Sequence, residues 1–175
     1  MKEVNIKDVK FNPFDMVGEE WLALMAGNED DGYNAMTIAW GHFGALWEKK
    51  IGTKKVRTPT CIVYVRPQRY TRKFMDHEDY YTINYLGNNK RALAYLGSRS
   101  GRDEDKLAKI GLTPEFGYGT TYIKEAKMVF VCKKIYQDTL KEENFIDQDI
   151  LDFCYPNRDF HDMYVGEVVQ ILGED

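Results

Sequence analysis

A basic segment stands out as the part of the sequence best suited to bind an anion. Residues 66–73 follow an apolar run and begin a predicted helix. We expect Thr71 to cap that helix and the amides near Lys73 and Phe74 to point outward, because a helix N-terminus has free N–H donors and about half a positive charge. Cations at a helix N-terminus interact unfavourably with the positive end of the helix dipole unless an anion lies between them. Their presence here therefore favours a phosphate site. An exposed basic cap on a short helix is the alternative. The four cations are Arg66, Arg69, Arg72 and Lys73.

Two further polar segments could contact the same kind of ligand. The turn at residues 97–106 offers Ser98, Ser100 and the Gly101 amide to a phosphate or carboxylate. The alternative for this turn is a junction between two helices in which Asp103 caps the second. Residues 34–37, Asn-Ala-Met-Thr, have small and hydroxyl residues flanking a predicted strand, so a flat ligand could approach the backbone there. A plain edge strand accounts for that segment equally well.

The remaining reactive residue types have ordinary structural explanations. His161 precedes the last predicted strand, and a lone histidine is usually structural. The tryptophans could stack on a ring system, although core packing is their commoner use. Three cysteines, Cys61, Cys132 and Cys154, form no CxxC pair, so we expect free thiols in a reducing cytoplasm and no metal site. Motifs for nucleotide loops, zinc proteases and serine hydrolases are missing, and Gly117-Tyr-Gly119 lacks the third glycine of a dinucleotide fingerprint.

The elements that must position these residues are mostly strands. Apolar and β-branched runs predict strands at residues 21–25, 35–40, 61–65, 80–86, 127–138 and 163–172. The run at 61–65 is continuous and predicts a strand buried on both faces. Gly166 inside the last run indicates a bend, a bulge or a close backbone approach. Short helices are predicted at 71–77, 89–96, 103–110 and 146–155, and residues 48–58 are interpreted as an exposed basic loop. This order lacks regular βαβ alternation and favours an antiparallel β-barrel with peripheral helices.

Length and composition limit the classes of protein that fit. The 175 residues predict a single domain, 1–175, large enough to fold without disulfides. A net charge of −4 argues against a nucleic-acid-binding protein. No apolar run approaches the roughly 20 residues of a membrane span, and the first residues lack an apolar signal region. We therefore expect a cytoplasmic protein with no membrane partner.

Five segments, taken in order, resemble the flavin reductase-like family of FMN-binding split β-barrels, which includes flavoredoxin-type proteins. They are residues 34–41 (NAMTIAWG), 58–71 (TPTCIVYVRPQRYT), 80–86 (YYTINYL), 98–106 (SRSGRDEDK) and 161–168 (HDMYVGEV). The resemblance extends over roughly residues 10 to 172. It implies a homodimer of six-stranded antiparallel barrels with FMN bound near the dimer interface.

The resemblance also implies roles for individual residues. The backbone of the first segment would meet the nitrogen and oxygen edge of the flavin; its matching residues are Asn34, Met36, Thr37, Ala39 and Trp40. Two turns would hold the phosphate; their matching residues are Arg69, Tyr70 and Thr71 in the first turn, and Ser98, Ser100 and Lys106 in the second. His161 matches a histidine near the flavin or the nicotinamide. The family's compact Gly-Asp-His is replaced here by Arg158-Asp-Phe-His161.

The activity implied is NAD(P)H-dependent reduction of FMN, in which the flavin itself performs the hydride and one-electron steps. An FMN electron carrier reduced by a redox protein partner is a second hypothesis, and a non-catalytic ligand-binding barrel is a third. Pyridoxamine-phosphate oxidase-type proteins share the barrel architecture and are the alternative enzyme class.

Overall fold

An antiparallel sheet of eight strands forms the centre of the protein in the computed structural model, which describes residues 1–174. Its strands are β1 (Lys2–Glu3), β2 (Leu22–Asn28), β3 (Gly32–Ile38), β4 (Gly41–Ile51), β5 (Lys54–Val65), β6 (Tyr80–Tyr85), β9 (Met128–Thr139) and β10 (Asp162–Gly173), and a separate hairpin is formed by β7 (Pro114–Gly117) and β8 (Thr120–Ile123). The helices are α1 (Thr71–His77), α2 (Lys90–Ser98), α3 (Lys106–Lys109) and α4 (Gln148–Cys154). A π-helical turn covers Asp15–Glu20, and 3₁₀ turns cover Ile6–Asp8 and Glu142–Asn144.

The order of the strands creates an open seam in the sheet. The long strands follow the order β3-β2-β6-β9-β10-β5-β4, while β1 pairs with β10. Strands β3 and β4 therefore lie at opposite ends of this path, yet only residues 39–40 separate them in the chain. Such a short connection requires the sheet to curl until its two ends approach each other. The predicted antiparallel β-barrel with peripheral helices is confirmed, and its seam runs between β3 and β4.

Burial alternates along the strands that border the core. In β5, Cys61, Val63 and Val65 are buried, while Ile62 and Tyr64 are partly exposed on the other face. The prediction that residues 61–65 are buried on both faces is therefore wrong. The sheet twists and closes, so β5 covers the core with one face only, and Tyr64 is left to line a pocket.

The β7–β8 hairpin covers the second face of β6, which explains why both faces of β6 are buried. Thr82 Oγ1 donates to the Thr121 carbonyl at 2.7 Å, and Asn84 Oδ1 accepts from the Ile123 amide at 2.9 Å. Asn84 Nδ2 also donates to the Ala23 carbonyl at 3.2 Å. These hydrogen bonds satisfy polar groups that would otherwise be costly to bury.

Gly166 marks a close approach inside the barrel, as the sequence predicts. The pairing of β10 with β9 shifts register between Val165 and Gly166. A Cβ at Gly166 would lie 2.7 Å from the Cβ of Cys132 and would collide with the Tyr81 hydroxyl. A side chain at this position therefore cannot be accommodated without moving the core.

Two predicted elements need correction. Residues 48–58 form no loop, because they continue β4 and β5 as a long hairpin with Lys49 opposite Val56. The helix predicted at 103–110 is confined to Lys106–Lys109, and its cap is Asp105 rather than Asp103. Asp105 Oδ1 accepts from the amides of Leu107 and Ala108 at 3.1 and 3.2 Å. Among residues 1–174, no helix is long and apolar enough to cross a membrane.

Candidate functional site

Two adjoining pockets lie along the seam, where β3 ends the sheet and α1, α2 and α3 approach it. The first, which we call the basic pocket, has a volume of about 150 Å³. Its polar lining includes Arg69, Ser98, Ser100, Arg102 and Lys106. The second, which we call the edge pocket, has a volume of about 170 Å³ and is lined by residues 36–40, 64, 66, 69 and 161. The pockets share Met36 and Arg69, so they form the two ends of one site.

Two arginines of the basic pocket have no carboxylate partner among the described residues. Arg69 donates to the Gly97 carbonyl at 2.8 Å, and the Arg102 guanidinium lies over the Tyr70 ring at 4.8 Å. Within residues 1–174, neither arginine forms an ion pair with a carboxylate. Both are therefore available to a bound anion, for which arginine is well suited.

Lys106 is buried against the same pocket, with 4% of its surface exposed. Its Nζ donates to the Ala35 carbonyl and, at 3.0 Å, to the Leu96 carbonyl. Burial, together with the nearby charge of Arg69, lowers the pKa of Lys106 to about 8. A bound anion would favour the charged form of this lysine and would offset the unfavourable burial.

The start of α1 differs from the prediction. Thr71 is the first helical residue rather than the cap, and its hydroxyl accepts from Asn34 Nδ2 at 2.7 Å. The amides of Arg72 and Lys73 are already bonded to the carbonyls of Arg69 and Tyr70, at 3.0 and 3.2 Å. The amide near Lys73, which was expected to point outward, is therefore already hydrogen-bonded to a main-chain carbonyl. Thr71 and Asn34 instead tie α1 to β3.

Most of the predicted cation cluster is also engaged elsewhere. Arg66 pairs with Asp159 at 2.5 Å, and Arg72 pairs with the buried Asp162. Of the four cations, Arg69 is the one that lines the basic pocket. The two serines lie in this pocket as well: Ser98 donates weakly to the Tyr95 carbonyl at 3.4 Å, and Ser100 Oγ accepts from the Arg102 amide at 3.2 Å.

The edge pocket is built from the end of β3 and the connection that follows it. The outer edge of β3 pairs with no strand of the described sheet, and Thr37 Oγ1 donates to the Leu93 carbonyl, which attaches β3 to α2. Trp40 is 45% exposed, and its ring centroid lies 4.9 Å from that of His161. An exposed aromatic ring beside an unpaired strand edge can bind a flat polar ring system by stacking and by main-chain hydrogen bonds.

His161 is held in the neutral form. Its Nδ1 lies 2.7 Å from the Tyr155 hydroxyl, and burial, then the charge of Arg66, lowers the pKa of His161 to about 4. Burial raises the pKa of Tyr155, so its phenol is protonated at neutral pH. The phenol can then donate to Nδ1, which leaves the proton of the neutral imidazole on Nε2.

A larger cavity, which no sequence pattern predicted, adjoins the edge pocket. This apolar cleft has a volume of about 580 Å³ and shares Ala39, Trp40 and Tyr64 with the edge pocket. Its walls are the segment around the π-helical turn, the start of β4, and the region of α4. The lining residues are Pro13, Phe14, Val17, Gly18, Ala39, Trp40, Gly41, His42, Phe43, Tyr64, Leu140, Phe145, Ile150, Cys154 and Tyr155.

The structure places the residues that the family resemblance assigned to the site in the two pockets, whereas Arg72 and Lys73 of the predicted cation cluster line neither pocket. Those in the basic pocket are Asn34, Met36, Arg69, Tyr70, Thr71, Ser98, Ser100 and Lys106. Those in the edge pocket are Met36, Thr37, Ala39, Trp40 and His161. Arg102, Tyr64 and Tyr155 were missed; Arg102 lies in the polar turn that the sequence did indicate, whereas no local pattern separates Tyr64 or Tyr155 from core tyrosines.

Residues 56–175 match the sequence model of the family described as "Flavin reductase like domain". This match covers more than half of the chain, and the protein belongs to that family. Residues 34 and 36–40, which contribute to the two pockets, lie before the matched region. A comparison with curated protein sequences gave no match.

Solved structures share the fold. Flavoredoxin of Desulfovibrio vulgaris is 22% identical, with a TM-score of 0.63 over 89% of this chain and 69% of that one. The FMN-binding protein from Thermus thermophilus with bound p-hydroxybenzaldehyde is 18% identical, with a TM-score of 0.62 over 88% and 71%. An FMN-binding domain of a flavin reductases-like enzyme from Shewanella baltica is 18% identical, with a TM-score of 0.57 over 91% and 71%.

Proposed function

We propose that this protein binds FMN across the two pockets and acts as an NAD(P)H:FMN oxidoreductase. The observation that carries the proposal is the junction of the pockets at Met36 and Arg69. One end of the site has two arginines without an ion-pair partner within residues 1–174, and the other has an open strand edge beside an exposed tryptophan. A phosphorylated compound with a flat polar ring fits that combination, and the named structural neighbours include FMN-binding proteins.

The basic pocket would hold the phosphate. Arg69 and Arg102 can each donate charge-assisted hydrogen bonds, and Ser98 and Ser100 can add hydroxyl contacts. Lys106 would contribute its charge from beneath, because it is buried and anchored on two carbonyls. FMN is expected to bind more tightly than riboflavin for this reason.

The edge pocket would hold the ring. The residues that follow β3 supply main-chain donors and acceptors, and Trp40 and Met36 supply apolar contact. When bound, FMN supplies hydride and one-electron chemistry. The chain's own residues bind and orient the ring, and the neutral His161 offers an Nε2 proton as a hydrogen-bond donor beside Trp40.

Two candidate functions differ in the identity of the electron donor. We propose NADH or NADPH as the electron donor, in line with the family to which the chain belongs. An FMN electron carrier of flavoredoxin type, reduced by a protein partner, is the second candidate. The composition of the apolar cleft favours this second candidate, because no lysine or arginine among residues 1–174 lines it to pair with the diphosphate of a dinucleotide.

The first experiment is an absorbance spectrum of the purified protein, followed by anaerobic addition of NADH and then NADPH. We expect a yellow protein that bleaches with one of the nucleotides. A yellow protein that bleaches with neither would favour the carrier. A colourless protein that cannot be reconstituted with FMN would overturn the proposed function.

We also propose that the protein is a cytoplasmic homodimer. The three thiols are free, which suits a reducing compartment. The β4–β5 hairpin carries apolar side chains that are substantially exposed, and a second copy of the chain is the partner that we expect to cover them. They are Leu46, Trp47, Ile51 and Val56.

A further inference from the structure

Two ion pairs join the segment that carries Arg69 to the segment that carries His161. Their arginines lie three positions before and three positions after Arg69, and their aspartates lie two positions before and one position after His161. Each pair therefore connects one side of Arg69 with one side of His161. We call them the bridging pairs; they are Arg66 with Asp159, at 2.5 Å, and Arg72 with Asp162.

The bridging pairs lie where the main-chain pairing of two strands ends. The register of β5 with β10 stops at Val65, opposite Asp162. Beyond that point β5 leads into the residues around Arg69, while His161 directly precedes β10. Side-chain contacts such as the bridging pairs therefore continue the connection that the strands make up to this point.

Both bridging arginines are attached directly to the main chain of Arg69. The Arg69 amide donates to the Arg66 carbonyl at 3.0 Å, and the Arg69 carbonyl accepts from the Arg72 amide at 3.0 Å. A displacement of either arginine would therefore displace Arg69, which lines both pockets.

Asp162 is the more deeply buried of the two aspartates, with 2% of its surface exposed. Its Oδ1 accepts from Thr139 Oγ1 at 2.6 Å, and its Oδ2 pairs with Arg72. Removing the cation would leave a buried carboxylate unpaired, which is strongly unfavourable. This pair thus holds the start of α1 against the start of β10.

On the other side, Arg66 contacts the tyrosine that positions His161. The Arg66 guanidinium lies 5.1 Å from the centroid of the Tyr155 ring and donates to the Cys154 carbonyl at 2.7 Å. The Tyr155 hydroxyl lies 2.7 Å from His161 Nδ1. The pair of Arg66 with Asp159 therefore acts on both Arg69 and the imidazole.

We propose that the aspartates of the bridging pairs are positioning residues that set the separation between Arg69 and His161. Neither aspartate lines the basic pocket or the edge pocket, so each acts through its arginine. A ligand that spans both pockets gains affinity only if its two ends are bound at once, and this depends on that separation. The identity of the ligand as FMN rests on the proposed function.

The test compares FMN with its two separate parts, riboflavin and inorganic phosphate, on the full chain. Asp162→Asn and Asp159→Asn should each weaken FMN binding about tenfold, because a linked ligand depends on the separation of the two ends. Riboflavin and phosphate each occupy one end, so their affinities should change by less than about twofold. Fluorescence quenching measures flavin binding, and isothermal titration calorimetry measures phosphate binding. Equal losses for all three probes, or unchanged FMN affinity in both variants, would overturn the proposal.

Two further variants separate positioning from general damage to the fold. Glu167→Gln is the matched control, because Glu167 pairs with Lys49 outside both pockets and its side chain is 20% exposed, against 23% for Asp159. All three of its affinities should be parental. The double variant Asp162→Asn with Arg72→Gln leaves no buried charge unpaired. Because Asp162 acts through Arg72, the double variant should lose no more FMN affinity than Asp162→Asn alone, and a further loss would contradict the proposal.

Failure of this proposal is distinguishable from failure of the proposed function. FMN binding by the parent protein, with equal losses for all probes in the variants, would overturn the positioning role and leave the proposed function standing. A parent protein that binds neither FMN nor riboflavin would overturn both.

Discussion

Lys106 is a buried cation whose Nζ donates to carbonyls on two different elements, Ala35 in β3 and Leu96 in α2. Its ammonium is therefore fixed at the base of the basic pocket. Because its pKa is lowered to about 8, the free protein loses this charge just above neutral pH. In the unfolded chain the same group keeps its proton up to about pH 10.4. Deprotonation relieves the cost of burying this charge, so the free energy of unfolding rises as pH increases through about 8. The attraction of Lys106 for a bound anion falls over the same range.

FMN affinity should therefore weaken as pH rises from 7 to 9. A bound phosphate favours charged Lys106, so binding above the pKa of the free protein requires proton uptake. The Kd for FMN, measured by fluorescence titration at each pH, should increase by up to about tenfold per pH unit above 8. In Lys106→Met this rise should be largely removed. A variant with the same pH slope as the parent would show that another group is responsible.

Arg69 is expected to distinguish FMN from riboflavin. Loss of a charge-assisted hydrogen bond weakens binding by about 1.5–3 kcal/mol, so Arg69→Ala should weaken FMN binding by about 10- to 100-fold. Riboflavin lacks the phosphate, and its affinity should be nearly unchanged. Arg91→Ala removes an exposed arginine of α2 outside both pockets and is the matched control. Equal losses for FMN and riboflavin in Arg69→Ala would place Arg69 against the ring instead of the phosphate.

Among the helices and strands, the sequence predicted those whose positions are set by a local residue pattern. The helix at 71–77 has the predicted bounds, and the six predicted strands are present. The hairpin at 48–58 was interpreted as a loop because its charges outnumber its apolar residues, although an exposed edge strand tolerates charge on both faces. The role of Thr71 was also wrong, because its partner Asn34 is 37 positions away in sequence. Tyr155 could not be recognised for a different reason: its partner His161 is only six positions away, but no local residue pattern marks the contact between them.

The loop at residues 99–105, between α2 and α3, must approach β3 closely to form the basic pocket, and Gly101 makes that approach possible. A Cβ at Gly101 would collide with Asn34 Oδ1 and lie 3.2 Å from the Tyr70 ring. Gly101→Ala should therefore displace the loop from Asn34 and Thr71. We expect FMN affinity to fall by at least about tenfold, since catalytic and binding groups must be placed within fractions of an ångström.

Gly44→Ala is the matched control for this loop variant, because a Cβ at Gly44 would meet nothing within 4 Å. Gly44 lies on the edge strand β4, outside both pockets. The FMN affinity of the Gly44→Ala variant should equal that of the parent protein. Near-UV circular dichroism should remain parental in both variants, because Gly101 lies outside the hydrophobic clusters. Parental FMN affinity in Gly101→Ala would show that the loop does not position the phosphate.

The whole molecule presents an open sheet edge and an apolar surface together. Strand β4 is 11 residues long and ends the sheet, and most of its residues are exposed. Trp47 adopts a left-handed backbone conformation at a register shift in the hairpin, with φ 66°, and its ring lies 5.8 Å from the Tyr136 ring. An unusual conformation for a large residue, combined with 52% exposure, indicates a surface built for contact. The same strand begins at Gly41, directly after Trp40 of the edge pocket, so association through β4 would also fix one wall of the site.

We therefore expect the protein to sediment as a dimer of the 20.4 kDa chain and Trp47→Glu to shift it to the monomer. Analytical ultracentrifugation at micromolar concentration measures this directly. Ile146→Glu changes a fully exposed apolar residue outside the hairpin and should remain dimeric. Because the hairpin continues into the edge pocket, FMN should strengthen the dimer, and Trp47→Glu should weaken FMN binding. A monomeric parent protein, or a dimer insensitive to Trp47→Glu, would contradict association through this hairpin. A monomeric Trp47→Glu protein with parental FMN affinity would show that each chain holds the cofactor alone.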